Sequence, residues 1–308
     1  MATKRAVSSA VAALFACSLV LTGCNNASLE GDVPAQGGAT FDLSSVKKDD
    51  ALAAAVPQAL RDKGKLVVGM DTSYAPAEYL GGTDGQTPIG YDVDLVKAVG
   101  ALLDLEVDPQ TASFPSILPA IGTKYDLSAS SFFITSERKK SANFVSYIAA
   151  GTQWGVQKGN PSGFSLDDIC GRTVAVQTGS FQETKDLVDR NKTCTDTGKP
   201  AIKVISLKNQ SDVTTRLVTG GADAMAAGSI STLYAVTQTD GAVEALGESY
   251  DASPVGMAVA LDDPEFADVV AKALNKLMAD GAYKKILDQW GVGNIAIDKA
   301  EINPDVEK

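Results

Sequence analysis

Residues 126 to 140 read DLSASSFFITSERKK, a strand-like run that delivers Ser130, Ser131 and Arg138 to one short turn. Hydroxyls, backbone N–H groups and a guanidinium brought together in this way can hold a small anion. Thr135 is placed to N-cap a helix with Glu137 in its first turn, and the free N–H groups of such a turn attract negative charge. Arg138 adds a planar fork that grips a carboxylate through two parallel hydrogen bonds. The same residues would also serve as a solvated Arg138-Lys139-Lys140 face behind an ordinary cap.

The elements that must position this turn alternate along the chain. Lys65 to Met70 reads as a strand, and a Gly/Pro-rich loop runs on to Gly90. Asp92 to Leu103 carries Leu95, Val96, Val99, Leu102 and Leu103 at helical spacing, and Leu105 to Asp108 reads as the next strand. Val174 to Gln177, Ile202 to Ile205 and Ala222 to Ala226 are short apolar strands, each followed by a helical stretch. That order predicts parallel sheets covered on both faces. A last helix places Phe266, Val269, Val270, Ala273, Leu274, Leu277 and Met278 on one stripe. The folded part exceeds the usual single core, so two lobes are expected.

Composition excludes several function classes. The 308 residues contain no histidine, which removes Ser-His and Cys-His nucleophiles, and two thiols without histidine do not make a tetrahedral zinc site. No catalytic residue, metal site or cofactor is therefore expected. Lys4 and Arg5, the apolar run Val7 to Leu21 and Leu21-Thr22-Gly23-Cys24 form a secretory signal (residues 1–23) too short to span a bilayer. Net charge is −11 and becomes −13 once Lys4 and Arg5 leave with that signal, so nucleic acid and anionic lipid surfaces are poor partners. Cys170 and Cys194 remain for an oxidising compartment, where a disulfide between them is expected. Residues 24–60 read as a flexible tether, with a short helix at Asp50 to Leu60, and residues 293–308 as a charged tail that wraps the surface or frays.

Leu21 to Cys24 matches the lipobox of bacterial lipoproteins, which implies lipidation of Cys24. Beyond it the chain resembles the extracellular solute-binding proteins of polar amino acid ABC importers, family 3. The resemblance rests on six motifs in order, VVGMDTSYAPAEY, GYDVDL, YDLSASSFFITSERKK, VAVQTGSFQE, GGADAMAAG and GAYKKILDQWGV. It implies a bilobal α/β periplasmic-binding-protein-like fold (type II), with lobe 1 over 61–149 plus 254–292 and lobe 2 over 150–253. Two strands cross between the lobes and hinge near residues 149–154 and 250–254. It also implies a lipid-anchored monomer on the outer face of the cytoplasmic membrane, binding an amino acid or related small carboxylate and presenting it to ABC permease subunits.

By that resemblance Tyr74 and Phe114 pack on the ligand side chain, Asp71 reaches its polar groups, and Ser130, Ser131 and Arg138 hold the α-carboxylate. Gln177 and the Gly179-Ser180-Phe181 turn complete the carboxylate site with backbone N–H groups. Two positions depart from the family pattern: Phe133 replaces a hydroxyl and Gly228 replaces an aspartate, the two groups that usually bind the ligand ammonium. A buried charge without its partner costs about 3 to 5 kcal/mol, roughly a hundredfold to a few thousandfold in affinity. Either Asp71 or Glu78 takes the ammonium, or the ligand has none, or Tyr74, Phe114, Phe132, Phe133, Trp154 and Phe181 form an aromatic enclosure. A ligand-sensing lipoprotein and a dehydratase-like enzyme are the competing functions.

Overall fold

The computed structural model describes residues 41–306. In chain order its strands are β1 (Lys65–Met70), β2 (Ser73–Tyr74), β3 (Glu78–Gly81), β4 (Thr87–Ile89), β5 (Glu106–Thr111) and β6 (Leu127–Phe133). They continue with β7 (Ala142–Gln157), β8 (Thr173–Gln177), β9 (Lys203–Leu207), β10 (Ala224–Gly228) and β11 (Val243–Ala260). Its helices are α1 (Asp50–Ala55), α2 (Gln58–Lys63), α3 (Tyr91–Leu103), α4 (Phe114–Ile117), α5 (Leu187–Asp196), α6 (Gln210–Val218), α7 (Ser229–Gln238), α8 (Pro264–Ala279) and α9 (Ala282–Gln289).

Eight strands form one sheet in the order β5-β1-β6-β11-β7-β10-β8-β9. The outer strands pair in parallel, β1 with β5 and β6 at one end and β8 with β9 and β10 at the other, as helical crossovers require. Between them β7 and β11 run antiparallel over most of their length and tie the two halves together. Separate apolar clusters sit in the halves: Leu66, Val68, Val96, Val270 and Leu274 belong to the first, and Trp154, Phe164, Val174 and Leu187 to the second. This is the two-part α/β architecture expected.

Several details differ from the sequence reading. Residues 41–60 are not a free tether. Asp49 caps α1 and Pro57 separates α1 from α2, while Val56 and Leu60 are buried in the first core and the Phe41 N–H donates to Asp94. Leu52, Val56 and Leu60 recur every four residues and dock this segment, and the short helix expected over 50–60 is present as two pieces broken at Pro57. Cys24 and residues 24–40 lie outside the described residues. The terminal segment wraps the surface, with Ala300 buried, a bridge between Ile302 and Val145, and Asn303 bonded to Asn143. Cys170 and Cys194 form a disulfide with a Cα separation of 5.6 Å. Among the described residues no helix is long and apolar enough to cross a membrane.

Candidate functional site

β6 ends at Phe133, and the chain then makes a single 3₁₀ turn, Arg138–Lys140. The expected helix does not form. Thr135 does cap the turn, its hydroxyl accepting from the Arg138 N–H at 3.1 Å, but three residues of turn supply no helix dipole for an anion. What this turn places at the gap between the sheet halves is the Arg138 side chain. Its guanidinium donates to the Phe133 carbonyl at 2.8 Å and, across the gap between the sheet halves, to the Gly179 carbonyl at 2.9 Å. It lies 5.5 Å from both the Phe114 and the Phe132 ring centres. Three of its five N–H groups keep no protein acceptor, and no carboxylate of the described residues comes within ion-pair distance. Burial pushes its pKa down to about 10, still charged at neutral pH.

Asp71 stands at the end of β1. Its Oδ1 accepts from the Ser73 N–H (3.1 Å) and hydroxyl (2.6 Å), and its Oδ2 from the Phe114 N–H (2.9 Å) and, across the gap, from Gln177 Nε2 (3.0 Å). Burial raises its pKa against those bonds. Tyr74 also reaches across, its hydroxyl accepting from the Gly228 N–H at 3.0 Å, and burial pushes that hydroxyl's pKa up. Phe133 stacks on Phe181 of the other half at 5.5 Å. Arg138, Asp71, Tyr74, Phe114, Phe133, Gln177, Phe181 and Gly228 are thus brought to one cleft between the halves.

Ser130 and Ser131 line the floor, bonded to a buried acidic pair. Glu78 Oε1 accepts from the Ser130 hydroxyl at 2.6 Å, and Asp92 Oδ2 accepts from the Ser131 N–H and hydroxyl at 3.0 and 3.1 Å. Ser131 has a left-handed φ of 46°, a conformation costly for serine that the two bonds to Asp92 stabilise. Gly90 brings Asp92 there, since a Cβ at 90 would sit 2.0 Å from the Ala77 carbonyl oxygen. Glu78 and Asp92 are fully buried. Desolvation and then the Asp92 charge hold the Glu78 carboxyl well above its ordinary range, while desolvation raises Asp92. One proton shared between them satisfies both facts. Glu78 therefore does not face the cleft as an ammonium acceptor.

Two further expectations change. Two of the backbone N–H groups of the turn after β8 are already occupied: the Gly179 N–H donates to the Glu183 carboxylate at 2.6 Å and the Ser180 N–H to the Gln177 carbonyl. Ser180 instead caps the following turn through its hydroxyl. Nor is there a six-ring enclosure, because Trp154 is buried on Phe164 in the second core and Phe132 is buried between Phe114 and Phe144. Ser73, Gln210 and Glu183 were missed. The Gln210 N–H donates to the Ser73 hydroxyl across the gap at 3.1 Å, a pairing that no local pattern could show. Glu183 had a visible signal, an acid four residues beyond the tight turn at Gly179.

The model of the bacterial extracellular solute-binding proteins, family 3, matches residues 66–293. The chain belongs to that family. This solute-binding protein is 35% identical over 252 residues to the arginine-binding protein ArgT of Corynebacterium glutamicum, covering 81% of this chain and 82% of the relative. An ancestral arginine-binding protein bound to arginine superposes with a TM-score of 0.66 at 32% identity, over 74% of this chain and 98% of that one. The amino acid ABC transporter substrate-binding protein AbpA of Streptococcus pneumoniae, bound to L-arginine, superposes with a TM-score of 0.68 at 26% identity, over 78% and 100%.

Proposed function

We propose that this solute-binding protein holds a small carboxylate, an amino acid or a related acid, on Arg138 in the cleft and presents it to the permease of an ABC importer. One observation carries the reading: a shielded guanidinium flanked by two aromatic rings, with unused donors and no protein counter-ion. A charge left in this way is costly unless an anion joins it. Asp71, Tyr74, Phe114 and Ser130 bound the cleft beyond Arg138 and would contact the rest of the ligand. β7 and β11 cross between the halves, and their register shifts between Leu246 and Tyr250 and between Tyr250 and Ser253 support bending there. Lobe 1 (61–149 plus 254–292) would then close on lobe 2 (150–253), and lipid on Cys24 would keep the monomer at the outer face of the cytoplasmic membrane.

The relatives' names support binding rather than turnover. In a thermal-shift screen of small acids and amino acids on residues 25 to 308, a true ligand at about a hundred times its dissociation constant adds about 2.7 kcal/mol. Arg138→Ala is expected to weaken that ligand at least a hundredfold, since a buried charged hydrogen-bond partner is worth about 3 kcal/mol or more. Unchanged binding by Arg138→Ala would remove the site assignment.

A further inference from the structure

The clasp between Tyr74 and Gly228 bears on which acid enters. The Tyr74 hydroxyl sits on the Gly228 N–H at 3.0 Å, and a Cβ at 228 would lie 2.5 Å from that oxygen. Only glycine leaves the hydroxyl its place. The Phe133 ring comes within 3.6 Å of the same point and is held there by its stack on Phe181. Tyr74, Phe133 and Gly228 enclose, with the apolar Ile148, Ala150, Ile230 and Val255 and the hydroxyl-bearing Tyr91, Ser131 and Ser231, a cavity of about 10 Å³, the size of one water.

Arg138 donates to the Phe133 carbonyl at 2.8 Å, so this pocket, of which Phe133 forms one wall, adjoins the guanidinium. The nearby acids do not line it. Both Asp71 oxygens are engaged by Ser73, Phe114 and Gln177, and Glu78 and Asp92 are buried behind Ser130 and Ser131. A carboxylate on the remaining Arg138 donors would have the Phe133 side of this pocket, with the Tyr74 hydroxyl and the bare Gly228 backbone, as its neighbour. A cationic substituent there would lose its water next to a guanidinium with no carboxylate lining the pocket to pair with, Glu78 and Asp92 acting only from behind Ser130 and Ser131.

We propose that Gly228, Tyr74 and Phe133 set the ligand class as a small carboxylate without an α-ammonium group, which rests on Arg138 being the carboxylate site. The test compares matched pairs by calorimetry on the mature chain: L-arginine against 5-guanidinopentanoate, and L-glutamine against 4-carbamoylbutanoate. The acid lacking the amino group is expected to bind at least tenfold tighter in a pair that binds. Gly228→Asp evicts the hydroxyl and supplies an anion, and is expected to move preference toward the amino acid. Tyr74→Phe, which keeps the ring and the fold, is expected to narrow the ratio. Equal or tighter binding of the amino acid by the wild-type protein would overturn this inference and leave the carboxylate reading intact. A ratio unmoved in both folded variants would also overturn it, and no binding by either pair would remove both readings.

Discussion

Glu78 shows how one residue couples the site to its support. Its raised pKa means that the native protein keeps a proton that the unfolded chain releases above the ordinary value of 4.5. With the unfolded state binding fewer protons, stability falls as pH rises from about 4.5 through the range below the folded-state pKa, by up to about 1.4 kcal/mol per pH unit. Glu78→Gln cannot ionise, and its amide can still donate toward Asp92 and accept from Ser130. Urea unfolding at pH 5, 6.5 and 8 should show the wild type losing stability with pH and the variant nearly level; parallel curves would mean that the shared proton is absent. That a strand delivers Arg138 to a turn was legible because a strand-turn-arginine pattern is local. The sharing of one proton between residues 78 and 92 was not, since it depends on the desolvation of both.

At the scale of elements, strands and helices with strong apolar patterns were read to within a few residues. β1, α3 and α8 each carry enough buried residues to override their neighbours. The turn after β6 was misread because a good cap at Thr135 is followed by residues that stop after one 3₁₀ turn. The disulfide ties the segment before β8 to α5 across 24 residues, away from the cleft groups. Replacing both cysteines by serine is expected to cost about 3 kcal/mol in the chain-entropy account. Ligand affinity should stay within about twofold. Denaturant midpoints together with titration check this, and a large affinity loss would show that α5 positions the cleft.

For the whole molecule, the contact between the two halves across the cleft is the consequential property. Among the described residues four hydrogen bonds cross the cleft, from Arg138 to Gly179, Gln177 to Asp71, Gly228 to Tyr74 and Gln210 to Ser73, and the Tyr79 and Tyr234 rings meet at 6.1 Å. A 10 Å³ cavity admits no amino acid, so the halves must part before binding. Stopped-flow binding rates should therefore level off at high ligand concentration. Gln177→Ala, lacking one bond across the gap, should raise the plateau severalfold. A rate that climbs linearly into the millimolar range would show that opening does not limit entry.

The amino-acid sequence by itself determined the family, the alternation of strands and helices and the cysteine pair, because each is written in neighbouring residues or in fixed spacing. Tertiary structure alone decided which groups face the cleft. Trp154 turned into a core, Glu78 was withdrawn beneath a serine, and Gly228 met Tyr74 from 154 residues away. Burial and partnership are properties of three-dimensional neighbours, and those fix whether a charge is free to receive a ligand.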